Sequence, residues 1–212
     1  KLFTFPPKRH RLTGNAGAAR WPVRAMRLKD LQSLLEDCRP FEEPKVELEQ
    51  YTTRPHIAAC ILHTIDNCFE GLSETTVVDL GCGAGALGVG AAILGAYVVG
   101  VDIDKDALAI AQENCVELNP YEEDICIDFV NANVLELEPG MSEKLKADIV
   151  VTNPPFGTRA KGVDMEFLKV ASQIATSSVY SLHKTSTRSY IQRFAEKVLG
   201  FKKAKVVAEL RY

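Results

Sequence analysis

Asn153, Pro154, Pro155 and Phe156 are the residues of this chain whose types and spacing point most directly to chemistry. An exocyclic amine conjugated to a purine ring is a poor nucleophile. It reacts when acceptors hold its protons and turn its lone pair toward an electrophile. The Asn153 side-chain oxygen and the Pro154 carbonyl can be those acceptors. Two prolines, having no N–H, fix the backbone without adding a competing donor. Phe156 offers a flat apolar face on which an extruded base can stack. The expected substrate group is a planar amine or amide.

Two other runs describe what would hold the second reactant. Val77-Val78-Asp79-Leu80 is an apolar strand that ends in Gly81-Cys82-Gly83-Ala84-Gly85, where glycines let a cofactor lie against bare backbone. Gly100-Val101-Asp102 ends the next strand in a carboxylate suited to the two hydroxyls of a ribose. Gly83 to Gly88 also matches GxGxxG, the weak signature of a nucleotide dehydrogenase. Asp79, before the first glycine, argues against that reading. A carboxylate there suits the ammonium of an amino-acid-bearing nucleoside and would repel a pyrophosphate. The expected cofactor is S-adenosylmethionine, and the expected reaction is in-line transfer from a sulfonium, driven by proximity and alignment.

Asn133, after the third strand, is expected at the cofactor's adenine edge, and Gln50, Tyr51 and Thr53 are expected to close over the cofactor. The cofactor set is thus Gln50, Thr53, Asp79, Gly81, Gly83, Asp102, Asn133 and Asn153. The reaction needs no catalytic His or Cys. His56 and His63 read as helix residues, His183 as the end of a strand and Cys82 as a small turn residue.

These residues need a scaffold that brings strand ends together. Apolar runs alternate with helical patterns: strands at 76–80, 97–102, 127–130, 147–152, 178–182 and 204–211, and helices at 87–94, 105–118, 164–175 and 186–199. Helices are also expected from Met26 to before Pro40 and within 46–70. Continuous apolar strands between helices imply a buried, mostly parallel α/β sheet, doubly wound and Rossmann-like. The strand ends then share one rim, where such sheets bind ligands.

The chain has 212 residues and a formal net charge of -3, the size of a single domain. Residues 1–29 hold eight Lys or Arg and no acid, so the acidic excess lies in the body. Residues 1–26 are expected to be a basic, disordered leader, and 27–212 the domain. The six cysteines form no CxxC pair, which suits reduced thiols and gives no reason to expect a metal. No apolar run reaches membrane-span length. A soluble protein of the nucleus and cytoplasm is expected.

With these residues in hand, 27–212 resembles the methyltransferase-like protein 5 family. The resemblance rests on Glu49-Gln50-Tyr51-Thr52-Thr53-Arg54-Pro55-His56-Ile57-Ala58-Ala59, Asp79 to Gly83, Asp102-Ile103-Asp104, Asn153 to Thr158, Tyr180-Ser181-Leu182-His183-Lys184 and Ala208 to Tyr212. It implies N6-methylation of an adenine in small-subunit ribosomal RNA. It also implies a small zinc-binding activator subunit that pairs with a sheet edge, such as 127–130. Two departures stand out. Asn133 replaces an acid, and the chain stops at Tyr212 before the family's final strand and basic segment, which leads one to expect a gap beside the last strand. The alternatives are a glutamine methyltransferase acting on protein, which would favour Tyr at Phe156, a non-catalytic binding module, and a hydride-transferring enzyme.

Overall fold

The computed structural model describes residues 2–5, 26–69, 71–121, 125–137 and 139–210. The elements are β1 (Leu2–Phe5), α1 (Leu28–Glu36), α2 (Pro55–Cys68), β2 (Thr76–Leu80), α3 (Ala86–Ile93), β3 (Tyr97–Asp102), α4 (Lys105–Glu117) and β4 (Ile127–Asn131). After them come α5 (Pro139–Lys144), β5 (Ala147–Thr152), α6 (Val163–Ile174), β6 (Ala175–Leu182), α7 (Arg188–Lys197) and β7 (Lys205–Ala208). Together they form the expected doubly wound sheet, in the order β4-β3-β2-β5-β6-β1-β7.

Strands β4 to β6 run parallel, because each crossover carries a helix back across a sheet face. Their inner residues split by alternation. Val77, Ile149, Val151, Tyr180 and Leu182 join the core beneath α1, α2 and α3. Val78, Leu80, Val150 and Val179 join the core beneath α6 and α7. Helix α2 opens on Pro55, whose fixed φ suits the first helical position, and buries Ile57, Ala58, Ile61, Leu62 and Ile65 on one face. Leu31 and Leu35 of α1 pack over it.

The N-terminal end departs from the disordered leader expected over 1–26. Leu2–Phe5 lie inside the sheet as β1, antiparallel to β6 on one side and to β7 on the other. The expected gap beside the last strand is therefore filled from the other end of the chain. The physical reason is that the facing ladders of β6 and β7 require partners, and any short β-prone segment of matching register supplies them. Thr4 of this strand is buried. The remainder of the expected leader, 6–25, lies outside the described residues. The single antiparallel strand within a parallel sheet also differs from the strand order of dinucleotide-binding dehydrogenases.

Candidate active site

The carboxyl ends of β2, β3, β4 and β5 share one rim because the strands are parallel and in register. Above it lies a cavity of about 310 Å³, lined among others by Gln50, Thr53, Asp79, Gly81, Gly83, Asp102, Asn133, Asn153 and Pro155. The loop after β2 is tied down by its own backbone, Gly81 and Cys82 both donating to the Val101 carbonyl. Gly83 adopts φ +52°, and a Cβ there would stand 2.8 Å from Phe41 Cζ. A side chain here would be strained by conformation and would have to push the Phe41 ring aside.

Asp79 is 1% exposed. Its Oδ2 accepts the Gly88 N–H at 2.9 Å, while Oδ1 is buried without a hydrogen-bond partner. Burial pushes this carboxyl up to about 7; the Gly88 N–H opposes the rise and the Asp102 charge adds to it. Asp102 accepts from Gly83 N at 2.8 Å and Asp104 N at 2.9 Å. Burial raises its pKa against those bonds. Each of its oxygens keeps a further lone pair able to accept another donor. Cys82 is buried, and burial beside the two aspartates pushes its thiol well up. It stays protonated and unreactive, as expected of a turn residue.

Residues 38–54 form a strap across the rim. Lys45 Nζ contacts Asp104 and Asp106 at 2.6 Å each. The Gln50 amide accepts from Lys45 N at 2.7 Å and donates to Asp104 at 2.6 Å. Gln50 therefore reaches the cavity wall with its amide already committed to fastening the strap. Asn133 is similarly engaged: it accepts from Leu135 N at 3.0 Å and donates to Glu136 at 2.8 Å, capping a short 3-10 turn. Fully buried Asn114 joins strap to glycine loop through Arg39 N, Arg39 O and Ala84 O.

The Asn153 run follows β5 directly. Asn153 Nδ2 donates to Thr53 Oγ1 at 2.8 Å, which turns Oδ1 toward Tyr51. The Tyr51 hydroxyl donates to the Pro154 carbonyl at 2.8 Å and lies 3.3 Å from Asn153 Oδ1. Its ring stacks on Phe156. Pro154 and Phe156 are thus covered by Tyr51, whereas Asn153 and Pro155 line the cavity. Glu49, at φ +51°, accepts from Arg159 N at 2.7 Å. Burial would raise its pKa, but hydrogen bonds from the Arg159 N–H and from the hydroxyl and N–H of Thr158 outweigh that and hold it low. His183 is buried between Asp164 and Ser181, 2.9 Å from each. It fixes the first turn of α6, from which Val163 and Phe167 enter the cavity wall. His56 and His63 lie on α2, as expected.

Sequence reasoning missed Phe41, Asn114, Arg159 and Phe167. Only fold-level proximity brings them here, since they sit on the strap, on α4, in the loop after β5 and on α6. Among the described residues no group of His, Cys, Asp and Glu is arranged to hold a metal ion, and no helix is long and apolar enough to cross a membrane.

The family model described as ribosomal protein L11 methyltransferase (PrmA) matches residues 52–154. The chain is 51% identical over 191 residues to the rRNA N(6)-adenosine-methyltransferase METTL5 of Danio rerio, covering 88% of this chain and 87% of that one. It is 46% identical over 190 residues to the Mettl5 protein of Drosophila melanogaster, which carries the same description, covering 88% and 85%. The crystal structure of PH1948 from Pyrococcus horikoshii, described as a candidate RNA methyltransferase, superposes with a TM-score of 0.68 at 34% identity, covering 79% of this chain and 80% of that one.

Proposed function

We propose, because this chain belongs to the METTL5 family of S-adenosylmethionine-dependent methyltransferases, that it methylates the N6 amine of an adenine in ribosomal RNA, specifically that of the small subunit. S-adenosylmethionine is the cofactor, and when bound it supplies an electrophilic methyl on a sulfonium. The residues present fit it. The buried, unpartnered Oδ1 of Asp79 suits an ammonium, Asp102 suits ribose hydroxyls, and Gly81 and Gly83 present bare backbone to the cavity. Thr53, Asn153, Gln50 and Asn133 complete the walls.

The observation that carries the reading is the convergence of two acceptors and an aromatic face. Asn153 Oδ1 and the Pro154 carbonyl both lie within reach of a single donor, and Phe156 stacks with that donor's ring. Two fixed acceptors hold both protons of an amine and aim its lone pair. Pro155 keeps the backbone rigid, and Thr53 fixes the Asn153 amide plane. Orientation of this kind is where such a reaction obtains its acceleration. After transfer the surplus amine proton passes to water.

We further infer a heterodimer. Among the described residues strand β4 is an outer strand with β3 as its neighbour, and Ile103 and Leu135 near its end and Val116 on α4 are exposed. A small zinc-binding activator subunit would extend the sheet there and cover them. The reading carries with it a place in the nucleus and cytoplasm, where ribosomal RNA is made and used.

A protein substrate is the second reading, favoured by the match to the ribosomal protein L11 methyltransferase family. That match ends at Pro154, before Phe156, α6 and β6, so it spans the cofactor-holding half and little of the substrate side. Incubation of the full chain, with and without the activator, with labelled S-adenosylmethionine, ribosomal RNA and ribosomal protein separates the two. The label is expected to be sensitive to nuclease and to elute as N6-methyladenine. Label removed by protease would overturn the RNA reading.

A further inference from the structure

Tyr51 occupies the place the target base has to take. Its hydroxyl reaches the two acceptors assigned above to the substrate amine, donating to Pro154 O at 2.8 Å and lying 3.3 Å from Asn153 Oδ1. Its ring covers Phe156, with centroids 5.3 Å apart and planes 25° from parallel. Rings stacked at that distance are in contact and leave no room for a third between them. One side chain thus reproduces both the hydrogen bonding and the stacking expected of an adenine.

We propose that Tyr51 is a stand-in for the target base, a specificity-determining gate that yields only to a base bringing its own amine. The proposal rests on the reading of Asn153 and Pro154 as amine acceptors. A phenol carries one proton. It satisfies the Pro154 carbonyl and leaves the contact to Asn153 long. An exocyclic amine carries two protons and satisfies both acceptors, so exchanging Tyr51 for adenine gains a hydrogen bond. A base with a carbonyl at that position offers no donor, and displacing Tyr51 for it would leave two acceptors unpaired against an oxygen. Sites built around hydrogen bonds reject analogues lacking the group on this ground. The strap itself need not open. Gln50 on one side is tied to Asp104, and Thr53 on the other to Asn153, so the exchange is a swing of the Tyr51 side chain.

Tyr51→Phe keeps the ring and removes the hydroxyl that competes for Pro154. Steady-state kinetics of the full chain on a ribosomal RNA fragment should show KM for RNA falling about fivefold, the equivalent of about 1 kcal/mol for one neutral hydrogen bond. KM for S-adenosylmethionine should stay unchanged. The same fragment with inosine at the target position should inhibit the variant several-fold more strongly than the wild type, a readout that a merely structural role would not move. A fall in kcat with KM for RNA unaltered would place the hydroxyl in the catalytic machinery instead and overturn the gate. Identical KM and inosine inhibition in the two proteins would overturn it as well, leaving the RNA reading intact. Absence of transfer to RNA in the wild type itself would remove that reading and the gate with it.

Discussion

Burial pushes the Asp79 carboxyl up to about 7 from an ordinary 3.8, and this has two consequences at the scale of a single residue. The folded, cofactor-free chain holds a proton there between about pH 4 and 7 that the unfolded chain has lost. Its stability therefore falls as pH rises through that window. On the proposed pairing with the cofactor's ammonium, affinity should have the opposite slope, because only the ionised carboxylate makes that pair. Titration calorimetry should show S-adenosylmethionine binding weakening below pH 7 by up to about tenfold per pH unit, with proton release on binding. Asp79→Asn should bind more weakly at pH 8 and lose the slope; a wild-type affinity that is flat from pH 5.5 to 8 would contradict this role. Asp79, Asp102 and Asn153 were legible because each ends an apolar run in a polar residue, a pattern a parallel sheet turns into a shared rim. Gln50 and Asn133 were legible as neighbours of the site but not in their bonding. Whether an amide faces a ligand or its own loop depends on partners such as Lys45, Asp104 and Leu135 N, which sequence spacing does not specify.

Among the elements, the strap depends on Asp104. That carboxylate caps α4 through Asp106 N at 3.1 Å and receives Lys45 and Gln50. Its burial favours the neutral acid, yet the bonds from Lys45 and Gln50 outweigh it and hold the pKa low. Asp104→Ala removes cap and fastening together. It should cost about 1–2 kcal/mol in denaturant melts, the usual range for a lost N-cap. It should also speed proteolysis within 41–54 and weaken cofactor binding several-fold. Unchanged cleavage of the strap would show that Asn114 and Thr53 hold it unaided. Strands β3 and β5 were readable to the residue because Tyr97 to Asp102 and Ala147 to Thr152 are bounded by abrupt changes of character. The strap was not, since it has little regular structure and its order comes from bonds to residues more than fifty positions away.

For the molecule as a whole, β1 closes the sheet. Its four residues pair with strands more than 170 positions along the chain. The β-prone run Leu2-Phe3-Thr4-Phe5 is too short to announce such a pairing by itself, because the demand for it resides in the facing edges of β6 and β7. Deleting residues 1–5 leaves those edges without the strand between them and should lower the melting temperature by about 4 °C or more, the shift that 1–2 kcal/mol produces at this size. An unchanged melt would mean that β1 contributes no net stability. The doubly wound core was legible from the alternation of apolar runs with helices, and the shared rim from Asp79, Asp102 and Asn153 at or beside the ends of their strands. The proposed reaction has this rim aim an adenine amine of ribosomal RNA at the cofactor. Its most direct test is quantification of N6-methyladenine in small-subunit ribosomal RNA treated with the wild type and with Asn153→Ala, cofactor affinity being measured alongside. Modification by the wild type is expected, with a loss of about a hundredfold or more in the variant, as when a fixed transition-state hydrogen bond is removed, while cofactor affinity falls far less because the proposed Asp79 and Asp102 contacts remain. Equal N6-methyladenine from the two proteins, or a wild type that binds cofactor and leaves the RNA unmodified, would contradict it.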